Sequence, residues 1–351
     1  MEKEYIDKCT MFSTIVGSHA YGTNNEDSDT DIRGIAVLDD KSYYFGFLKK
    51  FEQYEYPNAD TVIYDIRKAF SLMADANPNM LDIIFADEKF HQKVDDRFKI
   101  VLDNRDKFLS KRARFTYTGY SYSQLKRIKS ARSWLLNPPK KKPERSDFGL
   151  PEQGLISKDN MGALQWIMAN MLKDSVSYLN FSDATKKELE DANWIGLIQQ
   201  QGIPENGFEH LQKAINISDE FMAIMQKEQA YNNAKRHFDS YTQWKNSRNK
   251  KRAILEEKYG YDAKHAMHLV RLLRMGKEIL TEGKVLVFRP DREELKEIRN
   301  GSWSYEQVEE YAETMEKEIA SLYEASKIPK EPNRNEIDKL CVEVIEKCLM
   351  T

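Results

Sequence analysis

The stretch GSHAYGTNNEDSDTDIRG (Gly17–Gly34) decides the fold, because its glycine, serine and acidic residues lie between two predicted strands. Residues 12–18 (FSTIVGS) predict a short buried strand that ends at the glycine. Residues 31–38 (DIRGIAVL) predict a second strand that begins at an acidic residue. Alternate residues of a strand point to the same side of a sheet. We therefore expect Asp29 and Asp31 to present both carboxylates on one face.

These residue types suit phosphate and metal chemistry. Gly17 lets a phosphate approach the backbone closely, and Ser18 adds a hydroxyl and an N–H. Two carboxylates on one face can share divalent cations, for which Mg²⁺, or Mn²⁺ in its place, is the expected ion. Two such ions stabilise both the attacking and the leaving oxygen of a phosphoryl displacement. The stretch favours a nucleoside triphosphate as substrate, and the alternative is an acidic turn between two strands.

The pairing of Gly17-Ser18 with Asp29-Thr30-Asp31 resembles the signature of the DNA polymerase β superfamily of nucleotidyltransferases. Within that superfamily the chain is most similar to the predicted nucleotidyltransferases called the RNA repair pathway DNA polymerase β family. This similarity extends over three further segments, residues 63–85, 264–280 and 289–308. The resemblance implies transfer of a nucleoside monophosphate from the triphosphate to an acceptor hydroxyl, with release of pyrophosphate. Nothing in the sequence suggests a template channel, so we expect this transfer to be untemplated.

The resemblance also implies a third metal-binding carboxylate on a neighbouring strand. Residues 60–65 (DTVIYD) predict that strand, and an aspartate stands at each of its ends. Asp60 opens the strand, which is the usual place of the third acid in these enzymes. Asp65 directly precedes a helix predicted over residues 66–76, where it would act as an N-cap. Asp60 is therefore the preferred third carboxylate, and Asp65 is the alternative.

Several other polar side chains are candidate nucleotide ligands. Arg33 shares the predicted strand face of the acids, as a counter-ion or as a phosphate ligand. The remaining candidates lie in the turn after Ser18, in the first turn of the helix at 66–76 and on one face of a later helix, where positions i, i+4 and i+7 coincide. They are His19, Tyr21, Arg67, Lys68, Lys264, His268 and Arg271. The alternative for each charged helix residue is a solvent-facing or ion-paired position.

The pattern of elements predicts an α+β fold. The first hundred residues mix strands with helices, whereas almost everything after residue 105 has helical periodicity. We expect a small mixed-sheet nucleotidyltransferase head at 1–105, followed by a larger, mostly helical domain at 106–351. Residues 137–154 hold four of the ten prolines and predict a loop. Residues 284–288 (KVLVF) predict one isolated strand.

Charge is distributed unevenly along the 351 residues. Thirteen lysines and arginines stand against two acidic residues between Arg105 and Arg145, so this segment carries +11 although the net charge of the chain is −3. Aromatic side chains alternate with these charges, at Phe115, Tyr117, Tyr120, Tyr122 and Trp134. Cationic and stacking groups together are typical of single-stranded nucleic acid binding. The segment therefore predicts an RNA partner, with a tRNA-like end as the acceptor.

Two alternatives to an RNA acceptor stay open. The first is transfer to a hydroxyl of a protein or a small molecule, as in toxin, antitoxin or resistance enzymes. The second is a nucleic-acid-binding protein without catalytic activity. The intact Gly17-Ser18 and Asp29-Thr30-Asp31 motifs argue against the second, because a decaying active site commonly loses a carboxylate first.

The sequence also limits the environment of the protein. No apolar run approaches the ~20 residues needed to span a membrane. The three cysteines, Cys9, Cys341 and Cys348, have no zinc-binding spacing. We therefore expect a cytoplasmic protein with reduced thiols and no membrane partner.

Overall fold

The computed structural model describes residues 2–26, 28–57, 59–154, 158–176, 186, 189, 191–201, 218–248 and 250–350. Its N-terminal part contains a five-stranded sheet in the order β3-β4-β2-β1-β5. The strands are β1 (Thr10–Val16), β2 (Asp31–Ala36), β3 (Gln53–Glu55), β4 (Thr61–Asp65) and β5 (His91–Val94). The strands predicted near residues 12, 31 and 60 are thus confirmed, while β3 and β5 were not predicted.

The sheet is mixed. β1 pairs antiparallel with both β2 and β5, and β3 pairs antiparallel with β4. β2 and β4 are parallel, with Ile32 opposite Thr61 and Ala36 opposite Asp65. This parallel register places the start of β4 beside the start of β2, which determines the geometry of the site described below.

Short helices surround the sheet: α1 (Lys3–Cys9), α2 (Gly17–Tyr21), α3 (Ser42–Phe45), α4 (Ile66–Ala74), α5 (Pro78–Ile84) and α6 (Lys99–Asp103). The side chain of Asn77 caps α5 by accepting hydrogen bonds from the backbone of Asn79 and Met80, and Pro78 occupies the first turn. Residues 80–86, whose apolar run fits either a helix or a strand, are therefore helical over most of their length.

The rest of the chain is helical. Its elements are α7 (Ala113–Leu136), α8 (Lys158–Val176), α9 (Trp194–Gln201), α10 (Asp219–Ser247), α11 (Lys250–Tyr259), α12 (Ala263–Glu282), α13 (Arg292–Arg299), α14 (Tyr305–Ala325) and α15 (Arg334–Leu349). With a mixed sheet near the N-terminus and 65% helix, the predicted α+β class is confirmed. The helices predicted at 158–180, 183–200 and 206–248 fall partly outside the described residues.

Two compact units divide the chain, residues 1–136 with 249–351, and residues 137–248. The first unit has a core that joins side chains of the sheet and of α4 and α5 with side chains of α12 and α15. Helices α7 and α12 also pack closely, since a Cβ on Gly276 would lie 3.1 Å from Cβ of Tyr117. The boundary predicted at residue 105 falls inside the first unit, because the C-terminal helices complete its core.

One predicted strand is wrong. Residues 284–288 form no strand, although Val285 and Val287 are buried in the core of the first unit. Their apolar pattern reflects burial rather than sheet pairing, since these residues follow α12 and fill space beside it.

The proline-rich loop has a short ordered turn. Within the second unit, Arg145–Phe148 form a 3₁₀ turn closed by a capping box between Glu144 and Asp147. Arg145 donates two hydrogen bonds to the buried carboxylate of Glu228, at 2.5 and 3.0 Å. At least one of the basic residues at 105–145 therefore has a structural role.

Two further predictions from the sequence concern membrane-spanning helices and the state of the cysteines. None of the described helices is long and apolar enough to cross a membrane. The three cysteine thiols are buried and form no disulfide.

Candidate active site

The turn between β1 and α2 brings the backbone against an acidic side chain. Val16 lies opposite Asp31 in the antiparallel register, and Gly17 follows with a positive φ of 67°. A Cβ on Gly17 would lie only 2.4 Å from Oδ2 of Asp31. A glycine is therefore required here both by its backbone conformation and by the close approach of the carboxylate.

Gly17→Ala is expected to reduce activity strongly while costing the fold only about 1–2 kcal/mol. The methyl group displaces the end of a side chain rather than backbone, so Asp31 rotates away and the acidic site is distorted. Transfer activity and urea unfolding of the same preparation measure the two effects. The control is Gly162→Ala, because a Cβ there meets nothing within 4 Å. Full activity of Gly17→Ala would contradict the assigned role.

Asp31 and Asp60 form the centre of the site. The backbone N–H of Ile32 donates to the carbonyl of Asp60 at 2.9 Å, which holds the two strand ends together. The two carboxyl groups lie within hydrogen-bonding reach of each other. Burial, and then the contact with Asp60, raise the pKa of Asp31 to about 6. Asp60 has a lowered pKa because it accepts hydrogen bonds from Asp31 and Arg33.

Arg33 is the cation that faces this pair. Its Nη2 donates to Oδ1 of Asp60 at 2.8 Å and lies 3.7 Å from Oδ1 of Asp31. Its Nη1 donates to the backbone carbonyls of Asp60 and Ile32, at 2.8 and 2.9 Å. These contacts make Arg33 a counter-ion of the acids, one of the two roles that the sequence left open.

A polar cleft of about 400 Å³ opens beside the acids. Asp29 lies on its wall, but β2 begins only at Asp31, so Asp29 belongs to the preceding loop rather than to the strand. The prediction that Asp29 and Asp31 lie on one face of the same strand is therefore wrong for Asp29. The cleft is lined by Ser18, Asn25, Ser28, Asp29, Asp31, Asp60, Leu255, Glu256, Asp262, Ala263, Lys264, Arg299 and Asn300.

The C-terminal helices supply the far wall of this cleft. Lys264 was predicted as a ligand, and its charge opposes the rise in the pKa of Asp31. Arg299 was not predicted, and it donates to the backbone carbonyl of Thr23 at 2.9 Å, which ties the loop to α13. Glu256 and Asn300 were also missed. The similarity of residues 289–308 to the family was the only signal for Arg299 and Asn300, and it did not single out either residue. Glu256 lies outside every segment of that similarity, so nothing in the sequence indicated it.

Four predicted ligands lie elsewhere. Asp65 pairs with Ala36 at the other end of β2, about 16 Å along the strand from Asp31. It is buried and caps α4 by accepting from the backbone N–H of Arg67 at 2.9 Å. Two basic side chains bind at that same end of the strand. Arg67 donates to Asp65, and Lys68 donates to Gln53 and Glu52. The parallel register separates all three from the acids. His268 follows Lys264 on α12 by one turn but does not line the cleft.

Tyr21 and Arg271 are buried, contrary to their expected place as nucleotide ligands. The hydroxyl of Tyr21 donates to Oδ2 of Asp82 at 2.5 Å, and Nη1 of Arg271 lies 3.4 Å from the same oxygen. The guanidinium of Arg271 stacks 3.8 Å from the centroid of the Tyr21 ring. This buried cluster anchors α2 to α5 and α12, and neither Tyr21 nor Arg271 lines the cleft beside the acids. Asp82 was not foreseen from the sequence.

His19 holds the acidic loop. Its Nε2 lies 3.2 Å from the backbone carbonyl of Ser28, immediately before Asp29. It was expected as a nucleotide ligand and instead positions the loop that carries an acid.

The donor set of the site suits a hard divalent cation. Asp31 and Asp60 are adjacent carboxylates and Asp29 lies on the same cleft wall, and carboxylate oxygens are the ligands that Mg²⁺ prefers. Among the described residues no three His, Cys, Asp or Glu side chains are grouped so that they could together hold a metal ion. The adjacent carboxylates of Asp31 and Asp60 repel each other when both are ionised. The guanidinium of Arg33, which lies against both, reduces this repulsion.

Four of the nine basic residues at 105–136 are matched by acidic side chains. Each pair joins a basic residue of residues 105–136 to an acidic residue from another part of the first unit. These pairs are Lys107–Glu336, Arg112–Glu331, Arg112–Asp75, Lys129–Glu309 and Arg132–Glu306, at 2.5 to 3.5 Å. Lys126 and Arg127 are exposed and make no ion pair with any described residue. The segment therefore exposes less positive charge than its composition predicts.

The aromatic residues of this segment are divided in the same way. Tyr117 is fully buried in the core, whereas Phe115, Tyr120 and Tyr122 are exposed. Phe115 makes an edge-to-face contact with Tyr323, and the hydroxyl of Tyr122 donates to Glu316. The RNA partner stays a prediction, with fewer side chains available for it.

Residues 2–137 match the family model of the RNA repair pathway DNA polymerase beta family, which confirms the resemblance for this part of the chain. An uncharacterized 38.9 kDa protein in the nrdC-mobD intergenic region of Enterobacteria phage T4 is 29% identical over 126 residues. The similar region covers 33% of this chain and 37% of the phage protein, so the chain spans little more than a third of that relative. No solved structure matches the chain.

Proposed function

We propose that the protein is a Mg²⁺-dependent nucleotidyltransferase that adds a nucleoside monophosphate to the end of an RNA and releases pyrophosphate. The observation that carries this proposal is the contact of the Asp31 carboxylate with Gly17, beside Asp60, at a cleft that also contains Lys264 and Arg299. The match to a polymerase beta-type nucleotidyltransferase family supports the reaction class.

The residues of the cleft have distinct tasks in this reaction. Ser18 and the backbone after Gly17 would bind phosphate oxygens of the triphosphate, and Lys264 and Arg299 would compensate its charge from the far wall. Asp29, Asp31 and Asp60 would hold Mg²⁺, which supplies Lewis-acid stabilisation of the charge on the phosphoryl group. Because the pKa of Asp31 is about 6, this carboxyl is ionised and able to bind a cation above that pH.

The transfer itself is a displacement at the α-phosphorus. The acceptor hydroxyl oxygen forms a bond to the α-phosphorus while the bond to the bridging oxygen of the β-phosphate breaks, and pyrophosphate leaves with that electron pair. The hydroxyl proton passes to solvent or to a carboxylate of the site. Arg33 keeps Asp60 ionised and oriented.

An RNA end is the acceptor that two observations support. The matching family is named for an RNA repair pathway. The exposed Lys126 and Arg127 lie on the same helix as Phe115 and Tyr120, so cationic and stacking groups remain available on α7.

The direct test uses purified protein, Mg²⁺, each of the four α-³²P-labelled ribonucleoside triphosphates and a set of RNAs, including tRNA. We expect label from at least one triphosphate in a nuclease-sensitive product, and none with Asp31→Asn or with EDTA. If the labelled product resists nuclease but is degraded by protease, the acceptor is a protein and not an RNA. The absence of label and of pyrophosphate with every triphosphate and acceptor would overturn the proposed reaction.

Lys264→Met is expected to raise the KM for the nucleoside triphosphate at least about tenfold, with a smaller change in kcat. The substitution removes a charge-assisted contact to phosphate, and such contacts contribute about 1.5–3 kcal/mol. Steady-state kinetics at saturating acceptor measure this effect. Lys296→Met is the matched control, because Lys296 lies outside the cleft and pairs with Glu293 at 3.2 Å. If the KM of Lys264→Met for the triphosphate is unchanged, the triphosphate does not bind at Lys264.

A further inference from the structure

A second cavity lies on the other side of Asp31. It has a volume of about 270 Å³ and shares no residue except Asp31 with the larger cleft. Gly17 and Tyr21 of α2, Arg33 and Tyr64 of the sheet, and Asn79 and Asp82 of α5 contribute to its wall. Val16 and Ile83 add apolar surface. The carboxylate of Asp31 thus stands where two spaces of different chemistry meet.

Three polar groups in the wall of this cavity, one of them on the exposed Asn79, have no hydrogen-bond partner among the described residues. The side-chain amide of Asn79 and the hydroxyl of Tyr64 form no hydrogen bond with any described residue. Oδ1 of Asp82 is buried and also lacks a partner among the described residues, although Oδ2 accepts from Tyr21. Buried polar atoms are rarely left unpaired in folded proteins, so a donor from a ligand or from water is expected at Oδ1.

The two spaces differ in charge. The cleft has the serine, lysine and arginine side chains that suit phosphate groups, namely Ser18, Lys264 and Arg299. The cavity offers an amide, tyrosine rings and apolar carbon, and its one basic side chain, Arg33, is already bonded to Asp60. The cavity therefore offers a polyanion no basic side chain that is not already bonded, whereas an uncharged group with hydrogen-bond donors would satisfy the unpaired oxygen of Asp82.

We propose that this cavity binds the nucleoside part of a substrate, with Asn79 and Tyr64 as its hydrogen-bonding residues and Asp82 Oδ1 as an acceptor for a base amino or ribose hydroxyl group. The proposal rests on the proposed function, since it divides one substrate between a phosphate-binding cleft and a cavity without an unbonded basic side chain, on either side of Asp31. Small-ligand sites combine apolar surface with a few convergent polar groups in this way.

Two sources can supply the nucleoside: the incoming nucleoside triphosphate or the terminal residue of the RNA acceptor. Both present an uncharged base and ribose joined to phosphate, and both must reach the acidic site for transfer to occur. The chemistry of the cavity is the same for the two, so kinetics must separate them.

The test compares wild type, Asn79→Ala and Tyr64→Phe by calorimetry in Mg²⁺ with ATP, inorganic tripolyphosphate and the four free ribonucleosides. Neither substitution removes a hydrogen bond of the fold, so both variants are expected to unfold like wild type. Gln92→Ala is the control, because it removes an exposed amide on β5, away from the cavity.

We expect the variants to bind nucleosides about three- to tenfold more weakly, while their affinity for tripolyphosphate stays unchanged. A parallel loss of ATP affinity identifies the incoming nucleotide as the occupant. If ATP affinity is unchanged and the KM for RNA rises by the same factor as nucleoside binding weakens, the occupant of the cavity is the terminal residue of the RNA acceptor.

Two outcomes would overturn the inference. If tripolyphosphate binds but neither variant changes nucleoside binding, ATP affinity or the RNA KM, the cavity has no such role although the proposed function stands. If wild type binds neither ATP, tripolyphosphate nor any nucleoside, the inference and the proposed function both fail.

Discussion

Asp31→Asn is expected to abolish nucleotidyl transfer and, at pH 8, to increase the stability of the metal-free protein. Activity should fall by about a thousandfold or more, because the substitution removes the carboxylate that lies between Gly17 and Asp60. Stability should rise because an ionised Asp31 is costly in the folded state: burial and Asp60 raise its pKa to about 6. An amide keeps the shape of the side chain without the charge.

The pH dependence of this effect follows from the direction of the pKa shift. The folded state holds the Asp31 proton more tightly than the unfolded chain does, so this contribution to stability is full below about pH 4 and is lost as the pH rises through about 6. A shift of about two units corresponds to about 3 kcal/mol. Because the side chain is 28% exposed, solvent screening reduces the expected gain to about 1–2 kcal/mol at pH 8.

Urea unfolding in EDTA at pH 8 and at pH 4.5 measures this gain. We expect the free energy of unfolding of Asp31→Asn to exceed that of wild type at pH 8, and the difference to become much smaller at pH 4.5. Asp96→Asn is the matched control, since that side chain is 89% exposed and pairs only with Lys99 among the described residues. A less stable Asp31→Asn protein at pH 8 would show that the fold requires the charge.

Asp60→Ala and Asp65→Ala are expected to have opposite consequences. Asp60→Ala should lower activity by about a thousandfold with little effect on the free energy of unfolding, because Asp60 touches Asp31 but is 53% exposed. Asp65→Ala should retain activity within a few fold and destabilise the fold by about 1–2 kcal/mol. It removes a buried N-cap of α4, together with its contact to Arg67.

Activity assays and urea unfolding of both variants decide between the two aspartates. Loss of activity in a stably folded Asp65→Ala protein, together with an active Asp60→Ala protein, would reverse their roles. The comparison is internally controlled, because the two substitutions are chemically identical and occur at the two ends of one strand.

The basic segment at 105–145 shows that the net charge of a stretch of sequence does not determine the charge of the surface it forms. The sequence counts charges along the chain, but a surface potential depends on which charges lie near one another in space. Glu306, Glu309, Glu331 and Glu336 lie some two hundred residues from their basic partners and neutralise them. Lys126 and Arg127 are therefore the residues whose substitution would test RNA binding most directly.

The sequence by itself determined the three strands that carry the candidate site, the glycine turn and the acidic residues at the strand ends. Strand alternation, the conformational freedom of Gly17 and the capping ability of Asp65 are local properties, and local properties can be read from neighbouring residues. This is why residues 12–34 and 60–76 were interpreted correctly in their main elements.

Only the tertiary structure decided which residues share the site. The parallel register of β2 and β4 places Asp60, and not Asp65, beside Asp31, and one helix brings Lys264 to the cleft while it buries Arg271 against Tyr21. Arg299 and Asp82 reach their places through packing between segments about two hundred residues or more apart. Such contacts depend on register and on the partner across the core, and neither is encoded in the spacing of nearby residues.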